Sequence, residues 1–350
     1  MLFFSQVWAA FVILFWPEAH YEGDSTAWRF HMKSMDLEDF FITPVSGPIE
    51  SPVPPVAAAA GLAPSPLGPL AELPGTWKGT GFNQIWRPFP GLPAQDRFLE
   101  LNETTETLQF VEIPGDIPNR GLLQPDITLH GITYLQKIND ANVKVGGKPA
   151  GIHIEPGIWV SIPNTTNPLD PATVSRLANI PHGTSLVAQG TSRVSTGPPP
   201  FAVASITPFL IAPPHTPFTF PETNLSVPTT FRTKPGDIPH VTQAMVDNPN
   251  VVLATGIAGK TIGSVTTLFI STLDLNPPSS GGGTSNIAFL QGAAGGPNAV
   301  AAQMDAIFWI EHFVDAHGKH GLQLQYTQRV LLNFNGLSWP HISVATLVKV

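Results

Sequence analysis

Imidazole and carboxylate groups are the side chains through which this chain could bind a metal or move protons. Its 350 residues include eleven histidines and no cysteine. The lack of cysteine excludes disulfides, thiolate catalysis, zinc–cysteine sites and iron–sulfur clusters. Any metal must therefore be bound by His, Asp, Glu or Tyr.

His153 and Glu155 form the best-placed pair for proton transfer. From Ile152 onwards polar and apolar residues alternate, as in a strand with one wet and one dry face. Side chains two positions apart then share a face, so the pair could act as a general acid and base, or could belong to the structural scaffold. We expect Pro156-Gly157 to break or bulge this strand.

His341 follows Pro340 at the start of the last apolar run of the chain. Along an extended strand it would share one face with Ser343, Ala345 and Leu347, so the imidazole would stand beside small side chains that leave room for a flat ligand. Two interpretations stay open. The histidine either binds a group in that space or simply begins a strand after a proline.

A second histidine cluster contains His312, His317 and His320, with Glu311 and Asp315 close by. These residue types could bind a divalent metal, but the segment is typical of a hydrated hairpin loop. The chain has no Gly-x-Ser-x-Gly elbow, and its Gly-rich segment lacks the lysine of a phosphate loop. Hydrolase and nucleotide-binding functions are therefore not expected.

The composition favours strands, turns and long loops over helices. Pro (38) and Gly (31) make up about a fifth of the chain, while charged residues supply only 12%, where about a quarter is usual. The formal net charge is −8, and the 17 Lys and Arg residues form no basic stripe. This excludes nucleic acid as the main partner.

Short runs with strand character follow Leu73, separated by turn residues. They cover residues 75–85, 98–101, 106–113, 128–138, 151–162, 173–180, 185–190, 261–273, 303–313, 321–334 and 341–350. Asn335-Gly336 joins the last two runs and is a strong hairpin signal. A closed barrel would remove the exposed edges of so many strands. We therefore predict a mainly β fold, namely a closed or nearly closed antiparallel, lipocalin-like β-barrel with long Pro- and Gly-rich insertions.

The predicted organisation is a tail and Pro/Ala-rich linker over residues 1–72, followed by the barrel over 73–350. Residues 191–299 are predicted to be an insertion or extra lobe. Within this stretch we expect a short helix at 241–248 and a Gly-rich loop at 281–296.

The N-terminal sixteen residues are apolar, which is short for a membrane span, and they lack the basic flank of a secretory signal. A cleaved signal or anchor, a buried segment and a partner-binding segment all stay open. Apart from this segment no membrane partner is expected. The compartment is left open, with a cytoplasmic location favoured over secretion.

The first strand carries the motif Gly75-Thr-Trp77-Lys-Gly79-Thr-Gly81. It resembles the first strand of the nitrobindin family, β-barrel haem proteins that begin with Gly-x-Trp-x-Gly-x-Gly. Lipocalin-like barrels also begin with Gly-x-Trp, where the indole plugs the barrel base and the glycines relieve crowding. We therefore assign these four residues to packing rather than to ligand binding.

Three further segments resemble the same family and follow in the same order. They are Tyr134-Leu-Gln136, His153-Ile-Glu-Pro-Gly-Ile-Trp159 and Pro181-His182-Gly183, the last in inverted form. The final strand of the family opens on the proximal haem ligand and ends in a basic residue. His341 and Lys349 match that layout.

The resemblance implies haem b with His341 as the axial ligand of the iron. It also implies that the protein binds nitric oxide and isomerises peroxynitrite to nitrate on ferric iron. A peroxidase-like reaction would instead need a distal group that moves a proton between peroxide oxygens. The candidates are His130, His153, His182 and Arg97, with His153 the best placed.

The resemblance covers residues 73–190 and 300–350, whereas family members are about half the length of this chain. A haem protein would be a peroxynitrite isomerase or a peroxidase-like enzyme. Two alternatives to a haem protein stay open. One is a lipocalin-like carrier of an apolar small molecule. The other is a structural or assembly protein built on the barrel. The expected partner is a small-molecule ligand, and a homo-oligomer is possible.

Overall fold

The computed structural model describes residues 65–90, 96–273, 280–291 and 298–350. The apolar N-terminal segment and the linker as far as residue 64 lie outside the described residues. The strands are β1 (Gly75–Pro88), β2 (Arg97–Glu112), β3 (Ile117–Asn119), β4 (Ile127–Val145), β5 (Lys148–Ile162), β6 (Thr165–Thr166), β7 (Leu169–Asp170), β8 (Thr173–Ile180), β9 (Thr184–Thr196), β10 (Phe209–Leu210), β11 (Thr261–Ser271), β12 (Gly281–Asn286), β13 (Val300–Val314), β14 (His320–Phe334) and β15 (Leu337–Lys349). The helices are α1 (Gln243–Asp247), α2 (Val251–Ile257) and α3 (Ala288–Gln291).

Ten of these strands form a closed antiparallel barrel. Their order is β1-β2-β4-β5-β8-β9-β11-β13-β14-β15, and β15 pairs again with β1. The prediction of a mainly β, closed antiparallel barrel is therefore confirmed. The hairpin prediction is confirmed too, because Asn335 (φ 49°) and Gly336 (φ 75°) join β14 to β15 with the positive φ angles of a type I′ turn.

Two glycines of the first-strand motif allow β1 and β15 to close the barrel. A Cβ at Gly79 would lie 2.0 Å from the carbonyl oxygen of Thr346, and one at Gly81 would lie 2.2 Å from that of Val344. Only glycine permits this approach. The packing role predicted for the motif is therefore confirmed at these two positions.

Trp77 fills one end of the barrel, as the packing interpretation predicts. It is fully buried, and its Nε1 donates a hydrogen bond to the carbonyl oxygen of Leu73, 2.8 Å away. Leu67 and Leu70, which we assigned to the linker, are buried in the same cluster. That assignment is wrong for these residues, because a 3-10 turn over Gly68–Leu70 places leucines three positions apart on one side.

Much of the segment 197–260 packs on the outer face of the barrel. A second cluster of buried residues lies there, and in it Trp339 contacts Trp86, Phe220 and Phe334 with ring centroids 4.7–5.4 Å apart. The segment lies within the predicted insertion 191–299. The same stretch also contains the end of β9 and the barrel strand β11.

Glutamine side chains of the barrel hold the two helices of this covering segment. Gln84 donates to the carbonyl oxygen of Met245 in α1 at 2.7 Å, and Gln325 donates to that of Leu253 in α2 at 2.9 Å. The helix predicted at 241–248 is therefore confirmed, whereas α2 was not predicted. No helix in the described ranges is long and apolar enough to cross a membrane.

Two local predictions are wrong. Pro156 and Gly157 neither break nor bulge β5, since the pairing with β4 continues through both residues and β8 begins to pair at Gly157. The stretch Gly281–Asn286 is not a loop but strand β12, which pairs with β9 where β11 ends. A Cβ at Gly282 would lie 2.1 Å from the carbonyl oxygen of Val187. The pairing of β12 with β9 therefore requires a residue without a side chain at this position.

Candidate functional site

A cavity of about 810 Å³ lies inside the barrel, at the end away from Trp77. This volume is within the range of about 300–1,000 Å³ that is typical of small-molecule sites. Aliphatic side chains form much of its wall, among them Ile85, Ile138, Val330 and Leu332. The cavity therefore offers an apolar space into which a few polar groups project.

His341 lies on the wall of this cavity and is held by the neighbouring strand. Its Nε2 is 3.0 Å from Oδ1 of Asn83, which also accepts a 2.5 Å hydrogen bond from the Ser343 hydroxyl. The amide oxygen can only accept, so Nε2 carries the hydrogen of a neutral imidazole and Nδ1 keeps the lone pair. The prediction that His341 and Ser343 share a face is confirmed.

The imidazole of His341 is neutral at physiological pH. Burial, together with the charges that His153 and His182 would carry, lowers its pKa to about 3. A neutral imidazole with one free lone pair is the form that binds metal ions. The local environment therefore keeps this histidine ready to act as a ligand.

His153 and His182 line the same cavity, with ring centroids 5.6 Å apart. Nε2 of His153 lies 3.2 Å from Oε2 of Glu155, which confirms that these two side chains share a face. Burial and the neighbouring His153 lower the pKa of His182. Two of the four candidates for a distal group are therefore close together.

A buried ion pair lies behind His153. Arg176 and Tyr134 both donate to Oε1 of Glu155, and Arg176 also donates to Oε1 of Gln328 at 2.6 Å. Although burial opposes ionisation, the guanidinium of Arg176 and the bond to His153 bring the pKa of Glu155 down to about 2. Glu155 therefore stays ionised at physiological pH, and the positive charge of Arg176 balances its negative charge.

A second buried carboxyl, that of Glu106, lies under the cavity without such a cation. The Tyr326 hydroxyl donates to its Oε2 and the Gln136 amide donates to its Oε1, each at 2.7 Å. Burial raises the pKa of Glu106 to about 7, although both hydrogen bonds favour the ionised form. Two carboxyls therefore lie beneath the cavity: Glu155 stays ionised, whereas Glu106 can gain or lose a proton near neutral pH.

Arg87 is a cation at the wall of the cavity. Its Nε donates to Oε2 of Glu100 at 2.8 Å, and its guanidinium lies 4.5 Å from the ring centroid of Phe98. Its side chain is 41% exposed. Because only Nε is used in this pair, the terminal N–H groups can meet an anionic group of a ligand.

The other predicted candidates lie elsewhere. Arg97 does not line the cavity; its guanidinium lies 3.8 Å from the ring centroid of Phe220 and pairs with Glu222. His130 is not part of the cavity wall either. Neither placement supports a distal role.

The cluster around His312 offers no metal site. Nε2 of His312 pairs with Glu72 at 2.6 Å, and Asp315 accepts the backbone N–H groups of His317 and Lys319 in the hairpin loop. Over the part of the chain that the structure describes, no three His, Asp or Glu residues are grouped so as to hold a metal ion.

Asn83, Glu106 and Tyr326 were missed by sequence reasoning. Asn83 continues the alternation of Gly79 and Gly81, and Glu106 is an acid in line with the inward-facing Leu108 of the same strand. A polar residue at an inward-facing position of a barrel strand is the signal that could have identified them.

Comparisons of this chain with protein-family models, with curated proteins and with solved structures find no match. The structure supports a ten-stranded antiparallel β-barrel with an internal cavity. No family is identified by these comparisons, so the nitrobindin resemblance stays a prediction.

Proposed function

We propose that the cavity binds haem b and that His341 is the axial ligand of the iron. The observation that carries this proposal is a neutral imidazole, with one hydrogen-bonded and one free ring nitrogen, on the wall of a cavity of about 810 Å³. Histidines that bind metals usually donate their other ring N–H to an oxygen acceptor, which fixes the tautomer. Asn83 is that acceptor, so Nδ1 is the nitrogen we assign to iron.

The cavity residues fit the remaining parts of a haem. Aliphatic side chains such as Ile138 and Val330 can pack on a flat macrocycle, while Arg87 can bind a carboxylate through its terminal N–H groups. Haem needs only one protein ligand, and His341 on the cavity wall is the one we assign.

The reaction we propose is that of the family this sequence resembles, namely nitric oxide binding and isomerisation of peroxynitrite to nitrate. Ferric haem would supply an open coordination position for these ligands. The chain supplies an apolar cavity and a neutral ligand behind the iron. Arg97 lies outside the cavity wall, so a peroxidase-like reaction would depend on His153 and His182 for proton transfer.

Titration of cofactor-free protein with haemin, followed by the Soret absorbance, tests this proposal. We expect one haem per chain in the wild type and a large loss of affinity or a shifted Soret band in His341→Ala. His240→Ala is the matched control, because the His240 side chain is 80% exposed, pairs with Glu103 and does not line the cavity. A saturating Soret titration that is unchanged in His341→Ala, or no saturable binding by the wild type, would reject the proposal.

The second candidate function is the transport of an apolar small molecule. The aliphatic walls favour it, and such a ligand would require no contact with His341. Native mass spectrometry of the purified protein separates the two functions. A bound mass other than haem, retained in His341→Ala, would support the carrier.

A further inference from the structure

Glu106 is buried, and two side chains that line the cavity, those of Tyr326 and Gln136, donate hydrogen bonds to it. It is 3% exposed, and Tyr326, which donates to it, lines the cavity. Gln136 bridges the pair, since its Nε2 lies 2.7 Å from Oε1 of Glu106 and 3.2 Å from the hydroxyl of Tyr326. The carboxyl of Glu106 is therefore shielded from bulk water. The hydroxyl of Tyr326 lies between it and the cavity, where it can contact a bound ligand.

The two buried carboxyls differ in their neutralising partner. Glu155 is bound by the guanidinium of Arg176, whereas the described residues place no Lys or Arg in hydrogen-bonding contact with Glu106. An unpaired carboxylate in a buried position is costly, and protonation removes that cost. Of these two carboxyls, Glu106 is therefore the one that gains and loses a proton near neutral pH.

We propose that Glu106 is a proton-exchanging group of the cavity, and that it passes its proton to a cavity ligand through the hydroxyl of Tyr326. The acceptor is a Brønsted base or small anion that can take a hydrogen bond from a phenol. This inference goes beyond the proposed function and does not depend on haem.

The exchange conserves atoms and charge. The Tyr326 hydroxyl donates to Glu106 when the carboxyl is ionised, and this hydrogen bond reverses when the carboxyl is protonated, so that the phenolic hydrogen turns to the ligand. The carboxyl proton of Glu106 then moves to the oxygen of Tyr326 as the phenolic proton moves to the ligand, which leaves a carboxylate and a protonated ligand. Tyr326 is unchanged at the end. Burial and the neighbouring Glu106 raise the pKa of Tyr326 well above its ordinary value, so the phenol acts as a relay and does not ionise.

The groups that surround Glu106 support a midpoint near neutrality. Burial is the largest cause of its raised pKa of about 7, and the charge of Glu155 on β5 raises it further. The hydrogen bonds from Tyr326 on β14 and Gln136 on β4, with the charge of His153 on β5, act in the opposite direction. The glycines of β1 that face this part of β2 bring no charge.

Carbon-13 NMR of glutamate carboxyls in the cofactor-free, full-length protein tests the proton site between pH 5 and 9. We expect a carboxyl with a midpoint near 7 that is lost in Glu106→Gln. Glu311 is a second such group, because burial also raises its pKa to about 7, and Glu311→Gln assigns its signal. Glu103→Gln, on the same strand, is the matched control and should remove neither signal.

Tyr326→Phe and two matched probes test the connection to the cavity. The variant should raise the Glu106 midpoint, because it removes a hydrogen bond that stabilises the carboxylate. Benzoate should raise the midpoint in the wild type, since a second anion disfavours ionisation, whereas neutral benzyl alcohol should not. The Glu311 midpoint should stay constant throughout.

Either of two results would overturn this inference. One is a Glu106 carboxyl that titrates at the ordinary value near 4.5. The other is a Glu106 midpoint that benzoate leaves unchanged. Both results concern cofactor-free protein, so neither bears on whether haem binds.

Discussion

Asn83 and His341 meet across the strand pair that closes the barrel, with Oδ1 of one 3.0 Å from Nε2 of the other, although 258 positions separate them in the chain. Asn83 lies on β1 and His341 on β15, the first and last strands of the closed sheet. The state of the candidate ligand therefore depends on closure of the barrel.

Asn83→Ala should weaken haem binding and lower the stability of the protein. The variant removes the acceptor that fixes the His341 tautomer, and loss of such a partner typically costs about 10–100-fold in metal affinity. Two donors, His341 and Ser343, lose their shared acceptor, which should lower the free energy of unfolding by about 1–3 kcal/mol. Haemin titration and urea unfolding measure the two effects, and unchanged haem affinity would contradict the role given to Asn83.

His341 should remain a neutral Nε2–H tautomer at pH 5. Its folded-state pKa of about 3 lies below the ordinary 6.5, so the unfolded chain binds more protons between these values. Its contribution to stability is therefore complete above pH 6.5 and is lost as the pH falls towards 3.

Nitrogen-15 NMR of labelled histidine checks the tautomer directly. The unfolding free energy of the wild type relative to His341→Gln, measured against pH, checks the linkage. A His341 ring that gains its second proton near pH 6.5 would refute both expectations.

Gly79→Ala should destabilise the protein by about 3 kcal/mol or more. The new Cβ would lie 2.0 Å from a backbone oxygen of Thr346, so β1 and β15 would have to separate. Gly263→Ala on β11 is the matched control, since its nearest contact would be an ordinary 3.6 Å and we expect a change within about 0.5 kcal/mol. Equal effects of the two substitutions in thermal or urea unfolding would contradict the close approach.

Leu70→Ala should cost about 2–5 kcal/mol, because this side chain is fully buried at the base of the barrel. Leu169→Ala, at a residue that is 85% exposed, should change stability by less than about 0.5 kcal/mol. Urea unfolding measures both. A harmless Leu70→Ala would mean that the segment before β1 does not pack on the barrel.

The strand pattern and the local pairs could be predicted because their signals are local. Alternation placed His153 beside Glu155, and Asn335-Gly336 specified a tight turn. Both depend on residues within a few positions of one another. The same holds for the glycines and Trp77 of the first strand, whose spacing indicates crowding at the closing strand pair.

The partners of the candidate site could not be predicted in this way. The contacts of His341 with Asn83 and of Tyr326 with Glu106 depend on the register and closure of ten strands, which no local pattern specifies. The covering segment was equally hard to place. Its Pro-rich sequence has no periodicity that shows which face of the barrel it covers. The barrel residues Gln84 and Gln325 bind its backbone carbonyl groups, which every residue type carries.

The most direct test of the central claim is the electron paramagnetic resonance spectrum of the ferrous nitrosyl form of haem-loaded protein, with and without nitrogen-15 histidine. If His341 is the axial ligand, a second nitrogen splits the signal, and labelling changes that splitting. His341→Ala should remove it, while His240→Ala should keep it. A spectrum that does not respond to histidine labelling, or that is identical in His341→Ala, would contradict the assignment of His341 to iron.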